Sequence, residues 1–194
     1  LGHAGLSESD VTIAVLGESA PLLANSLQNG QVSGIVGAIS DFVAIRSQGI
    51  MIKNLLPPEM GDQPANNFAI RADAIGGDNE EVLQGFLRAW AKGSYAGLVD
   101  LDATRMMVME ADPENWINEE LGTIFLEAAQ DLHRPDGEVF GDVRYGVWEV
   151  VLNEMVAIDL LGAAFPTEEI LNDHYLAGAN NFDRAEIDGE VAAW

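Results

Sequence analysis

The stretch Val11-Thr12-Ile13-Ala14-Val15-Leu16 is a short apolar run rich in β-branched residues, bounded by Asp10 and Gly17. A run of this kind between turn residues reads as a strand buried on both faces. Working outward, Pro21 stands at an early helical position and Asn29-Gly30 forms a helix stop, so a helix is expected between them. Residues 32–38 repeat the apolar pattern with glycines that permit close approach. Ser40 or Asp41 then caps a short helix through Arg46, ending near Gly49. Ile50-Met51-Ile52-Lys53-Asn54-Leu55 reads as a third strand before Pro57-Pro58, and Phe68-Ala69-Ile70-Arg71 as a fourth. Alternating strands and helices predict a parallel sheet with right-handed crossovers, an α/β fold.

Beyond this point the pattern is helical only. Asp78 followed by Glu81 resembles a capping box, and Val82, Leu83, Phe86, Leu87 and Trp90 recur on one helical face. A further helix is expected over 102–110. Asn118 caps the next, with Leu121, Ile124, Phe125, Ala128 and Leu132 as its stripe. Val147, Trp148, Val151, Leu152, Met155 and Val156 mark another, stopped at Gly162. Thr167 caps one more, and 183–193 forms a last helix. The chain thus divides into an α/β piece, 1–66, and a helical part, 67–194.

The 194 residues are 48% hydrophobic and 21% charged, the composition of a folded globular chain. The formal charge is −23, which disfavours nucleic acid and anionic membrane surfaces as partners. Residues 1–66 carry a net −4 of this and residues 67–194 a net −19. There is no cysteine, which excludes thiol catalysis, thiolate-held zinc and iron–sulfur clusters. No apolar run approaches the roughly 18 residues of a membrane span. Leu1-Gly2-His3-Ala4-Gly5-Leu6 reads like the last turn of a helix and its glycine stop, so the start of a larger protein is expected to be missing.

Signatures of chemistry are sparse. His3, His133 and His174 are far apart and lack metal-ligand spacing. Gly17-Glu18-Ser19-Ala20-Pro21 only partly resembles a nucleophile elbow, and no Walker A loop or G-x-G-x-x-G occurs. Asp100, Asp102 and the acids of 78–81 read as helix-start residues rather than cation ligands, and Trp90, Trp116 and Trp148 as packing residues. No catalytic residue, metal or cofactor is therefore expected. In an open parallel sheet, ligands bind beyond the carboxyl ends of the strands. Those ends are Gly17, Glu18 and Ser19 after the first strand and Gly37 to Asp41, with Ser40 and Asp41, after the second. Each offers backbone N–H groups at a helix start, small residues and a hydroxyl, suited to an anionic or polar small molecule. The same side chains also read as plain helix caps.

Taken in order, several stretches resemble a known family. Leu27-Gln28-Asn29-Gly30-Gln31-Val32-Ser33-Gly34-Ile35-Val36, the run from Leu56-Pro57-Pro58 to Asn66-Asn67-Phe68-Ala69-Ile70-Arg71-Ala72-Asp73, and Phe86-Leu87-Arg88-Ala89-Trp90-Ala91-Lys92-Gly93 are similar to segments of NMT1/THI5-like solute-binding proteins, the taurine, nitrate, sulfonate and thiamine-pyrimidine type. Phe140-Gly141, Trp148 and Asn180-Asn181-Phe182 are weaker echoes. The resemblance implies a type II periplasmic-binding-protein fold, a parallel-sheet lobe followed by a helix-rich return lobe, closing on a ligand between them. It implies a periplasmic, monomeric, non-enzymatic component that delivers a small molecule to an ABC-type permease. Asn66 and Asn67 would then lie near the hinge crossing and join Gly17, Glu18, Ser19, Ser40 and Asp41 as ligand-binding candidates. The family's aromatic-acid-proline segment is replaced by Ala38-Ile39-Ser40-Asp41, and its opening strands are absent. The effector-binding half of a LysR-type regulator and a pyrimidine-synthesising enzyme are the rival readings.

Overall fold

The computed structural model describes residues 1, 4–17, 19–56, 61, 64, 67–135 and 137–194. Among these the chain is helical and holds no strand. The expected parallel-sheet α/β fold, and with it the type II binding-protein architecture, is therefore corrected to an α-helical one. The reason lies in what a strand requires. An apolar run becomes a buried strand only when neighbours satisfy its backbone groups and a second layer covers its faces. Neither occurs here: Val15, Val36 and Met51 are 97%, 104% and 98% exposed. Phe68, in the fourth expected strand, instead sets its ring against helical aromatics.

The chain forms two compact units, residues 1–54 with 118–128 and residues 55–117 with 129–194. In the first, α1 (Ala20–Gln28) packs on α2 (Ile39–Ser47). Leu23, Ala24 and Ser26 of α1 and Val43, Ala44 and Ile45 of α2 are buried. Both helices form in the expected stretches, but the cap of α2 is Ala38 rather than Ser40 or Asp41, which stand inside its first turn. Pro21 sits in the first turn of α1, where a missing N–H costs no helical bond. After α1 the chain turns through Gly30 at φ +68°, a left-handed conformation that glycine adopts without steric penalty.

In the second unit α3 (Glu80–Val99) is the central element, in contact with α4 (Leu101–Ala111), α7 (Leu176–Ala179) and α8 (Arg184–Val191). Its buried positions are Ala91, Ser94 and Gly97, not the large apolar stripe; Val82 and Phe86 are exposed. Small residues let neighbouring chain approach closely, and that selects the inward face. Ala103, Ile187 and Val191 form a core cluster, flanked by Tyr95, Ala96, Met107 and Phe182. The side chain of Asp100 accepts from Ala103 N–H and starts α4, and Asp183 accepts from Ala185 and Glu186 N–H and starts α8.

α5 (Glu119–His133) begins as its sequence suggests, with the side-chain Oδ1 of Asn118 accepting from Leu121 N–H at 3.1 Å. α6 (Tyr145–Ala157) meets a short 3-10 turn at Thr167–Glu169. Thr167 is the first residue of that turn rather than the cap of a full helix, and Pro166 holds the cap position.

Candidate functional site

The loop candidates begin at the start of α1. Gly17 has φ +80°, and Ser19 is the extended residue before the helix. Its carbonyl accepts from Leu23 N–H at 3.0 Å, while its hydroxyl makes no capping bond. No acid lies in the first turn of α1 itself; Glu18, which precedes Ser19 in the sequence, lies outside the described residues. Pro21 contributes no N–H, which leaves the Ala20 and Leu22 N–H groups as the donors of that turn.

At α2 the arrangement differs. Ser40 is exposed on the first turn, and the Asp41 carboxylate accepts from Ala38 N–H at 2.8 Å. This is the returning half of a capping box; Ala38 has no side-chain oxygen to supply the other half. An anion already occupies the positive end of α2. Gly17, Ser19, Ser40 and Asp41 all belong to the first unit, but among the described residues no hydrogen bond links the first pair to the second. Asn67 is an exposed residue of the second unit. Glu18, Asn66 and His3 lie outside the described residues.

The second unit carries a polar seam along α3 that the sequence reading did not single out. Glu80, Gln84 and Arg88 are spaced by four and stand one above another. Glu80 Oε1 lies 2.9 Å from His174 Nε2; Gln84 Nε2 donates to the Tyr175 carbonyl at 3.1 Å. Arg88 Nε donates to the Gly178 carbonyl at 2.9 Å. With Glu81 and Gly85 these side chains line an open groove of about 600 Å³. The i, i+4 spacing was the available signal; its partners at 174–178 are too remote in sequence to read.

Beside the seam, Phe68 meets both Phe86 and Trp90 edge-on with centroids 5.4 Å apart, and Trp90 meets His133 at 5.6 Å. Burial holds the His133 imidazole below its ordinary pKa, which favours the neutral ring. On the far side of α3, Tyr95 faces Phe140 and Phe182, and its hydroxyl donates to Asp188 Oδ1 at 2.8 Å. That carboxylate raises the Tyr95 pKa by hydrogen bonding. The Arg184 guanidinium lies over the Tyr95 ring at 5.2 Å and also donates to the Glu138 carbonyl.

No protein family, curated protein or solved structure matches this chain.

Among the described residues no group of three His, Asp or Glu side chains is arranged to hold a metal ion. No described helix is long and apolar enough to cross a membrane. The seam side chains are engaged in holding residues 174–178 against α3. The start of α1, where the Ser19 hydroxyl makes no capping bond and the first turn itself holds no acid, is the candidate loop with N–H groups and a hydroxyl to offer a small anion.

Proposed function

We propose that this chain is the substrate-binding component of an ABC-type importer, capturing a small polar or anionic molecule in the periplasm and handing it to a membrane permease. The ligand class is a sulfonate, nitrate or a pyrimidine-like compound. One observation supports this reading above the others: of the segments that carry the family resemblance, those holding Phe68, Phe140-Gly141 and Asn180 to Phe182 meet around α3, which itself contains residues 86–93. Phe68 packs on Phe86 and Trp90, and a β-carbon on Gly141 would stand 3.5 Å from the Trp90 ring. Phe140 is hydrogen-bonded to Asn180, and Phe182 packs on Tyr95 of the same helix. Shared packing gives these distant residues a common reason to occur in that order.

Binding in this reading involves no covalent step. The ligand acts by stabilising the permease-competent conformation, and only its differential affinity for that conformation can shift the equilibrium. The start of α1 is the anion subsite, with Gly17 and Ser19 giving close approach and a hydroxyl. The Asp41 carboxylate at α2 opposes a second negative group. Calorimetric titration of the protein with taurine, nitrate and a hydroxymethylpyrimidine tests the proposal. Saturable heat is expected for one of them, weakened by Ser19→Ala. Absence of saturable heat with all three would overturn the reading. Unchanged affinity in Ser19→Ala, Ser40→Ala and Asp41→Ala together would remove both loops from the site.

A further inference from the structure

We infer that Asn29 is a site of spontaneous deamidation, controlled by fraying of the last turn of α1. Of the asparagines in the chain, only Asn29 is followed by glycine. In this chemistry the backbone nitrogen of the following residue attacks the side-chain amide carbon. A carbon–nitrogen bond closes a five-membered imide, and ammonia leaves with the proton lost from the nitrogen. Water then opens the imide at either carbonyl, giving aspartate or isoaspartate. Glycine in the following position has no side chain to shield the attacking nitrogen. Asn29 and Gly30 are both exposed, and the space a β-carbon would fill at Gly30 is open.

The fold restrains the reaction without preventing it. Gly30 N–H donates to the Leu27 carbonyl at 3.1 Å and Asn29 N–H to the Asn25 carbonyl at 2.9 Å. The first bond occupies the proton that the attacking nitrogen must lose, so the reactive geometry requires the helix end to open. Terminal turns open at small free-energy cost compared with global unfolding. α1 spans only Ala20–Gln28, and no basic residue in its last turn favours the closed end.

The products weaken the same turn. Aspartate at this position places a negative charge at the negative end of the helix dipole. Isoaspartate inserts a methylene into the main chain between residues 29 and 30. The displaced groups are those that follow: Gln31 N–H and Val32 N–H both donate to the Ser26 carbonyl, at 2.9 and 3.3 Å. The buried Ser26 hydroxyl, which donates to Gln31 Oε1 at 3.2 Å, loses its partner with them. Deamidation therefore uncouples the end of α1 from the chain that follows it.

The test is to age the purified protein in mildly alkaline buffer, with and without urea, and map Asn29 by peptide mass spectrometry. Isoaspartate is counted by enzymatic methyl labelling. The expected result is replacement of the Asn29 amide by a mixture of aspartate and isoaspartate in native buffer, several-fold faster in urea. The labelled peptide should be absent from Asn29→Gln, and amide-exchange protection at Gln31 and Val32 should fall in aged wild-type protein. An intact Asn29 in native buffer, while the same residue converts in urea, would overturn the inference for the folded protein. Equal rates in the two conditions would overturn control by helix fraying. Both readings come from wild-type protein and do not depend on the variant folding.

Discussion

The side-chain amide of Asn180 pairs with both backbone groups of Phe140, as a neighbouring strand would. Phe140 N–H donates to Asn180 Oδ1 at 2.8 Å, and Asn180 Nδ2 donates back to the Phe140 carbonyl at 3.0 Å. The same Nδ2 also donates to the Leu176 carbonyl at 2.9 Å, one helical turn earlier. One side chain thus ties the end of α7 to the buried Phe140, remote in sequence. Removing it leaves the Phe140 N–H and carbonyl without these partners, beside a phenyl ring only 2% exposed. Asn180→Ala is expected to destabilise the protein by about 2–3 kcal/mol, since each orphaned buried group costs roughly 1–3 kcal/mol. Asn180→Asp keeps the acceptor but loses the donor, so it fails as a conservative replacement. Urea midpoints check both; Asn180→Asp matching wild type would show that the donor bonds contribute nothing.

Arg88 contributes through geometry as well as charge. Its Nε–H reaches the Gly178 carbonyl, and the planar guanidinium fixes that direction. A lysine ammonium is a more flexible, strongly hydrated charge without the same fork. Arg88→Lys is expected to lose about 1.5–2 kcal/mol, at the low end of the usual range for a hydrogen bond to a charged group. Arg88→Met, which retains much of the stem, should lose a similar amount. Amide exchange at residues 174–179 gives the local readout, with faster exchange expected in both variants. Protection equal to wild type would mean that the seam does not hold this segment.

Gly97 is required by a neighbour rather than by its own backbone. A β-carbon there would overlap the amide of Gln130, a residue only 8% exposed. Gly→Ala in a helix interior normally stabilises by about 1 kcal/mol, but overpacking a tight contact costs about 1–3 kcal/mol. Gly97→Ala is therefore expected to be neutral to destabilising by about 2 kcal/mol. Combining it with Gln130→Ala should recover the helix gain. A double-mutant cycle reads the coupling directly; strict additivity would show that the two positions do not meet.

The helices were legible because their boundaries are local chemistry. Pro21 and Gly30 bracket α1, the Asn118 side chain accepts at the start of α5, and the Asp183 carboxylate accepts at the start of α8. The strands were misread because apolar character says that a segment seeks burial, not that a partner exists to bury it. Val15, Val36 and Met51 have the composition of buried strands and lie exposed. The inward face of α3 was misread for a related reason. Size drew attention to Val82 and Phe86, whereas close approach selected Ala91, Ser94 and Gly97. Of the candidate site, Ser40 or Asp41 was expected at the cap position itself; Ala38 holds that position, and Asp41 stands within the first turn and accepts from Ala38 N–H. The seam from Glu80 to Arg88 was not legible, because its partners at 174–178 are fixed only by tertiary packing.

His133 makes stability fall in mild acid. The ring is packed edge-on against Trp90, and its position in the last turn of α5 favours imidazolium through the helix dipole. Burial opposes this and prevails, so the folded pKa lies below the ordinary 6.5. Below 6.5 the unfolded chain binds this proton more readily than the folded one. The stabilising contribution is fully present above 6.5 and is lost as pH falls through the lower, folded-state value. The lowered carboxyl groups of Asp10 and Asp73 have the same sign but act below their ordinary 3.8, in a separate window. Urea midpoints between about pH 8 and about pH 5 should therefore decline for wild type. His133→Phe, which keeps a ring against Trp90 without a titrating nitrogen, should decline less over that interval. Identical slopes for the two proteins would remove His133 as the cause, and a midpoint rising toward acid would reverse the sign of the argument.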